Sequence, residues 1–522
     1  MNNKLPFIDG FAALTSFPPL PWQTALYEKF VSGDFPSACD LPTGLGKTSV
    51  IPIWLLALAS KPQHVPRRLV YIVNRRTVVD QATTEAVELT KRLKSPGDST
   101  ALAELIARLK SLCGDAHDVP LAVSTLRGQF ADNGEWAADP SRPAVLCGTV
   151  DMIGSRLLFS GYRCGFKRRP LHAGFLGQDA LLVHDEAHLE SPFQTLLTSI
   201  GREQERRGGA LKPFRVLELS ATPRTSGSVF KLTPEDNEHP VVRQRLDSVK
   251  QLRLHAIDDE KKTPDELAER ALRHAESGDA VLVFAQSVET VDKVVERLKK
   301  DKRIGSERVA ALTGTMRGLE RDQLIDKDVF QRFLPPSDAT NRAPQEGEKP
   351  AEKQTVYLVC TSAGEVGVNM SADHLVCDLT TYESMAQRFG RVNRFGKRND
   401  STIDVLHPSE LPSEADLQKE MEKSEEKRDK YVVLNGHRRR TLDLLRELNG
   451  SASPASLAKL SSDTKINAFS PPRKVLPTSS ILFDAWAMTT IHERFPGRPP
   501  IEEYLHGQSE YEPPRTSVAW RE

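Results

Sequence analysis

Cysteine chemistry is scarce in this chain. The six cysteines, Cys39, Cys113, Cys147, Cys164, Cys360 and Cys377, include no CxxC pair and follow no metal-ligand rhythm. That excludes a disulfide framework or zinc ribbon and points to reduced thiols in a cytosolic setting. Long hydrophobic runs are missing too: IPIWLLALA at 51–59 is the longest, about half of the ~20 residues a membrane span needs. It reads instead as a buried helix. The start, MNNKLPFIDGFAALTSFPPL, lacks the basic end and apolar stretch of a secretion signal. We therefore expect a cytoplasmic protein with no membrane partner. An excess of one charge is also absent, Lys+Arg and Asp+Glu both numbering 71. No global basic field announces nucleic acid, although a local basic groove between domains would suffice to bind it.

What is present is a repeated alternation. The strand-like runs RRLVYIVN, PAVLCGT, DALLVHDEAH and FRVLELSATP are each apolar, and helical stretches separate them. This is the pattern of parallel sheet covered by helices on both faces. It restarts near residue 250 with DAVLVFAQS, RVAALTG, TVYLVCTSAGEVGVN and HLVCDLTT. The fold class expected is α/β, with two tandem parallel-sheet domains at 1–247 and 248–410 and a smaller, mainly helical region at 411–522. Residues 93–118 and the segment DNGEWAADPSRP read as a surface insertion. The Pro-rich polar stretch 335–354 reads as a disordered loop, and the Glu, Lys and Arg-dense run 412–450 as a solvated helical face. The chain stops on PPRTSVAWRE without a tapering polar tail, so the intact protein is expected to continue beyond it. Trp486 and Trp520 read as packed aromatics rather than base-stacking platforms.

Three motifs carry chemistry. In LPTGLGKT at 41–48, Gly44 and Gly46 let the backbone curl amides around a phosphate, at the positive end of the following helix. Lys47 is placed to reach the β and γ phosphates, Thr48 to hold Mg2+, and Thr43 to complete the loop. In HDEAH at 184–188, the apolar run before it puts Asp185 and Glu186 at the carboxyl end of a strand, where α/β sheets bind ligands. Asp185 is expected to hold Mg2+ through water and Glu186 to take the proton of the attacking water, with His188 beside the nucleotide. A zinc protease is excluded, because such a site needs Glu directly after the first His and Asp185 stands there. Finally, QRFGRVNR at 387–394 supplies Gln387, Arg391 and Arg394. The planar, permanently charged guanidinium suits γ-phosphate charge arriving from a second domain. SATP at 220–223 offers Ser220 and Thr222 to bond the HDEAH segment and carry phosphate state to the domain interface.

In the order PLPWQ, LPTGLGKT, VNRRTVVDQ, GTVDM, HDEAH, SATP, VFAQS, TSAGEVGVN, QRFGRVNR, the chain resembles a superfamily-two helicase from residue 17 to about residue 400. Within it, GTVDM, AGEVGVN and QRFGRVNRFG look most like the CRISPR-associated helicase-nuclease of type I systems. The resemblance implies two RecA-like domains and ATP with Mg2+ as cofactors. Gln23 would read the adenine edge, with Phe17 or Trp22 on the ring. Arg75, Arg76 and Thr149 from the first domain, and Ser287, Thr313 and Thr361 from the second, would grip a nucleic-acid backbone. Asn369 would couple strand contact to the ATP site through a loop shaped by Glu365 and Gly367.

One part of that family's pattern is missing from the sequence. Its HD nuclease needs several histidines and aspartates, and here His117-Asp118 stands alone while His184-Asp185 belongs to the ATP site. The nuclease is expected on a C-terminal extension or a separate chain. The resemblance implies an ATP-dependent translocase that unwinds DNA 3′ to 5′ along a single strand in the prokaryotic cytoplasm. It would act in antiviral CRISPR interference, recruited by a guide-RNA surveillance complex. A DExH-box RNA helicase and a non-catalytic ATP-switched scaffold are the alternatives.

Overall fold

A computed structural model describes residues 6–508 except 75, 115, 127–132, 163, 209–211, 213, 221–226, 317, 335–353, 366–368, 422–424, 471–472 and 492–497. Arg75, Thr222, Gly367, Trp520 and nearly all of the Pro-rich 335–354 stretch thus lie outside the described residues, as does the side chain of Arg76.

The first sheet is built from β1 (Ala38–Asp40), β2 (Arg68–Val73), β3 (Ala122–Leu126), β4 (Ala144–Thr149), β5 (Ala180–Asp185), β6 (Arg215–Ser220) and β7 (Val229–Lys231). Their order is β3-β4-β2-β5-β6-β1-β7, with parallel pairing throughout. The second contains β8 (Gln251–Ile257), β9 (Ala280–Phe284), β10 (Val309–Leu312), β11 (Val356–Cys360), β12 (His374–Asp378) and β13 (Thr402–Pro408). It runs β10-β11-β9-β12-β13-β8, again parallel.

Side chains alternate across each strand, and here both faces are buried. On β2, Leu69, Tyr71 and Val73 enter one core while Val70 and Ile72 enter the other. On β9, Leu282 and Phe284 face one core and Val281 and Val283 the opposite one. The 51–59 run lies in a helix, Val50–Ser60, whose residues are all buried. Among the described residues no helix is long and apolar enough to cross a membrane.

Two segments depart from the sequence reading. Helix Thr100–Cys113, within the expected surface insertion, turns Leu102, Leu105 and Leu109 into the first core. The C-terminal region divides its packing between the two sheets. Leu442, Leu445, Leu460 and Phe469 pack on the second sheet, whereas Trp486, Ile501 and Leu505 return to the first sheet, on the face of Val70 and Ile72. This returning strap is pinned by Tyr162 Oη donating to Glu502 at 2.9 Å, Arg207 to Asp484 at 2.7 Å, and His506 beside Asp151 at 2.7 Å.

Of the cysteines, Cys39, Cys147, Cys360 and Cys377 are buried in β1, β4, β11 and β12, and Cys113 and Cys164 are partly exposed. Burial pushes the Cys39, Cys147 and Cys377 thiols up to about 12.

Candidate nucleotide site

The phosphate loop leaves β1 and ends in the short turn Lys47–Ser49. Gly44 and Gly46 take φ of +93° and +79°, a region glycine enters without steric cost. Gly44 is also crowded from outside: a Cβ there would lie 3.3 Å from Arg394 Cγ of the second domain.

Glu186, just past β5, has φ +52°, an uncommon conformation for a residue with a side chain. Three groups converge on its carboxylate. Lys47 Nζ lies 3.5 Å from Oε1, Gln387 Nε2 donates to Oε2 at 2.9 Å, and His188 Nδ1 is 3.5 Å from Oε2. Burial alone would raise this carboxyl, but Lys47, His188, Gln387 and Arg391 outweigh it and hold it below the usual range. Its neighbour behaves oppositely. Burial and the adjacent Glu186 raise Asp185 to about 6, against the pull of Lys47 and a hydrogen bond from Tyr71. Tyr71 Oη donates to Asp185 Oδ2 at 2.8 Å. Asp185 Oδ1 is buried and, among the described residues, no side chain donates to it, an arrangement that suits a cation-bound water.

From the second domain, helix Tyr382–Phe389 brings Gln387 and the following turn brings the arginines. Arg391 is anchored by two bonds to the Glu365 carbonyl, at 3.1 and 2.6 Å. Burial, then repulsion from Arg394, lowers its pKa to about 9. Arg394 donates its backbone N–H to Ser371 Oγ at 3.2 Å. Gly390 touches Thr43 so closely that a Cβ would sit 2.6 Å from its hydroxyl oxygen. The two domains thereby enclose a cavity of about 320 Å³ whose walls include Thr43, Lys47, Thr48, Asp185 and Glu186 on one side and Asn369, Gln387, Arg391 and Arg394 on the other.

Other expected residues lie around it. Gln23 is buried, with Oε1 accepting from Leu20 N at 2.7 Å and Nε2 donating to Ser49 Oγ at 2.8 Å. It braces the phosphate loop rather than lining the cavity. Of the two aromatics beside it, Trp22 is buried in the core while Phe17 is 65% exposed and lines the cavity. His188 Nδ1 and Ser220 Oγ lie 3.1 Å apart. His184 is on the other face of β5, against Gln194 at 2.9 Å and Phe193, so the two histidines do not share a metal.

Thr149, Ser287, Thr313 and Thr361 stand at or just beyond the carboxyl ends of β4, β9, β10 and β11. Three of them accept from a nearby backbone N–H: Thr149 from Met152, Ser287 from Thr290 and Thr361 from Ala363. Thr313 pairs with Thr315 at 3.0 Å. Among the described residues one His and carboxylate group, His274, Asp279 and His374, has ligand atoms within 4.8 Å of one another. Its rings stack at 4.0 Å, Asp279 is paired with Arg398 at 2.8 Å, and His374 Nδ1 faces Thr402. Stacked rings cannot both aim in-plane lone pairs at one ion, so this is a packing cluster at the far end of the second sheet.

Sequence patterns gave no role to several wall residues: Tyr71, Glu85 and Arg245, and also Gln81 and Phe395, which lie within VNRRTVVDQ and QRFGRVNRFG. Arg245, in the segment between the sheets, donates to the Gly44 carbonyl at 2.8 Å and lies 5.7 Å from the Phe395 ring centre. No motif marks it.

Comparison with known proteins fits this geometry. Residues 17–225 match the model described as type III restriction enzyme, res subunit, and residues 277–397 match CRISPR-associated nuclease/helicase Cas3, C-terminal. No curated protein matches significantly. Among solved structures, T. fusca Cas3 with AMPPNP gives a TM-score of 0.58 at 17% identity, over 89% of this chain and 53% of that one. T. fusca Cas3 with ATP gives 0.56 at 15% identity, over 86% and 52%. The DUF1998 helicase MrfA bound to DNA gives 0.52 at 16% identity, over 78% and 48%. The chain thus spans about half the length of these proteins. Its fold is a pair of RecA-like parallel-sheet domains. The two family models match in this order along one chain, the first across strands β1 to β6 and the second across β9 to β12.

Proposed function

We propose that this chain hydrolyses ATP at the domain interface to pull single-stranded DNA, 3′ to 5′, in CRISPR interference. The observation that carries the reading is Glu186, held at once by Lys47 of the first domain and Gln387 of the second. A base so placed is positioned for catalysis when the domains are together.

In this reading the phosphate loop, Thr43 to Thr48, cradles the phosphates and Lys47 leaves Glu186 to bind them. Glu186 then takes the proton of the attacking water, oriented by Gln387, and Arg391 and Arg394 spread the charge of the transferring group. Mg2+ would neutralise phosphate charge when bound. Thr48 and, through water, Asp185 Oδ1 would hold it. His188 and Ser220, with Thr222, relay the site's state to the interface, and Asn369 with Gly367 ties it to the strand. Gln23 keeps the loop in register and Phe17 covers the base. Thr149, Ser287, Thr313 and Thr361 form the DNA path along the carboxyl ends of both sheets, and Arg75 and Arg76 would add their charge to it.

Boundaries at 1–247, 248–410 and 411–522 divide the motor from a C-terminal region that straps it. ATP use is supported by the likeness to nucleotide-bound T. fusca Cas3, and a nucleic-acid path by the likeness to DNA-bound MrfA. A guide-RNA surveillance complex would deliver the displaced strand, and an HD nuclease, on an extension or another chain, would cut it, in the prokaryotic cytoplasm.

The test is steady-state ATPase with Mg2+ and single-stranded DNA, single-stranded RNA or neither. Stimulation by DNA, abolished in Lys47→Ala, is expected. Glu186→Gln is expected to lower kcat by about 10²- to 10⁴-fold with nucleotide still bound. Stimulation by RNA alone would replace the DNA reading with an RNA helicase, and ATP binding without turnover would leave a scaffold.

A further inference from the structure

Tyr71 lies near the middle of β2, between β4 and β5. It pairs with Val183 in register, so its side chain leaves the sheet on the face shared by Asp185, two residues further along β5. A diagonal neighbour of this kind is within reach of a long aromatic side chain. The reach is used: Tyr71 is 1% exposed, lines the nucleotide cavity, and donates its hydroxyl to Asp185 Oδ2 at 2.8 Å. The other carboxylate oxygen, Oδ1, is buried and meets no side-chain donor among the described residues. Phenylalanine would fill the same space and leave the carboxylate to rotate.

We propose that Tyr71 is a positioning residue for the cation site, its hydroxyl pinning Oδ2 of Asp185 so that Oδ1 alone is offered to the divalent cation of the nucleotide. The assignment rests on the ATPase reading above. It places an outer partner on a neighbouring strand, where the sheet's register fixes the carboxylate's rotation. In this assignment the hydroxyl acts through Asp185, its hydrogen-bond partner.

The test compares the full chain with Tyr71→Phe in binding a fluorescent, non-hydrolysable ATP analogue, titrated with Mg2+ and, separately, in EDTA. Tyr71→Phe is expected to raise the Mg2+ concentration for half-maximal effect about tenfold, with affinity in EDTA unchanged. In turnover assays kcat falls at subsaturating Mg2+, while KM for ATP at saturating Mg2+ stays level. An unchanged Mg2+ midpoint overturns the proposal. So does an equal loss of affinity with and without Mg2+, which would mark Tyr71 as packing only. Wild-type chain that fails to bind the analogue overturns both this inference and the ATPase reading; normal wild-type behaviour with an indifferent Tyr71→Phe overturns this one alone.

Discussion

Arg388 is an arginine almost wholly withdrawn from water, and its partners explain how that is tolerated. Nε bonds Glu365 Oε1 at 2.8 Å, and Nη1 bonds both Asp378 Oδ1 at 3.0 Å and the Asp378 carbonyl at 2.8 Å. Attraction to those two carboxylates outweighs burial and raises its pKa. Glu365, so held, presents its own carbonyl to Arg391, and a buried ion pair thereby sets the position of an arginine at the nucleotide cavity. Removing one partner from such a group strands the others: Arg388→Ala is expected to cost about 3–5 kcal/mol, read from urea unfolding. A loss under 1 kcal/mol would mean that water reaches the carboxylates. Asp185 and Glu186 make the complementary case, adjacent acids driven apart in pKa because Lys47 pulls on both while His188 and Gln387 serve only the second.

At the scale of elements, the strap over the first domain ends on helix Glu502–His506, where His506 meets Asp151 at 2.7 Å and Glu190 at 3.6 Å. The hydrogen bond to Asp151 and then the nearby Glu190 carboxylate raise its pKa from 6.5 to about 9. A cation favoured in the folded state stabilises fully below pH 6.5, and that contribution disappears as pH rises through about 9. Proteolysis of segment 480–508 is therefore expected to accelerate between pH 6.5 and 9.5 in wild type and much less in His506→Gln. Equal pH profiles would remove the bridge from the account of the strap.

Elements also show what the sequence could reveal. Strands β2, β5, β9 and β11 are buried on both faces and read as unbroken apolar runs, which is why both sheets were legible. The outer strand β8, QLRLHAI, is partly exposed, and β13, TIDVLHP, is broken by Asp404 and His407. Asp404 pairs with His255 of β8 at 2.6 Å, a cross-strand solution that no single run announces. The motifs located the cavity's floor because phosphate loops and strand-end carboxylates are contiguous in sequence. Tyr71 and Arg245 escaped because one reaches the site through strand register and the other through the path of the connecting segment.

For the whole molecule, the decisive fact is that each half of the nucleotide site is incomplete. The phosphate loop and carboxylates sit on the first sheet, and Gln387, Arg391 and Arg394 on the second. Arg391→Ala is therefore expected to lower kcat by about 10³-fold or more while analogue binding to the phosphate loop changes little. Undiminished hydrolysis would place the charge-spreading role elsewhere. The distribution of thiols turns this two-part architecture into an experimental opportunity. The four inside the strands are sealed from reagents, so replacing Cys113 and Cys164 alone clears the described surface for labelling. A dye introduced on each half would then report the gap between them by energy transfer, cycle by cycle, without disturbing either sheet.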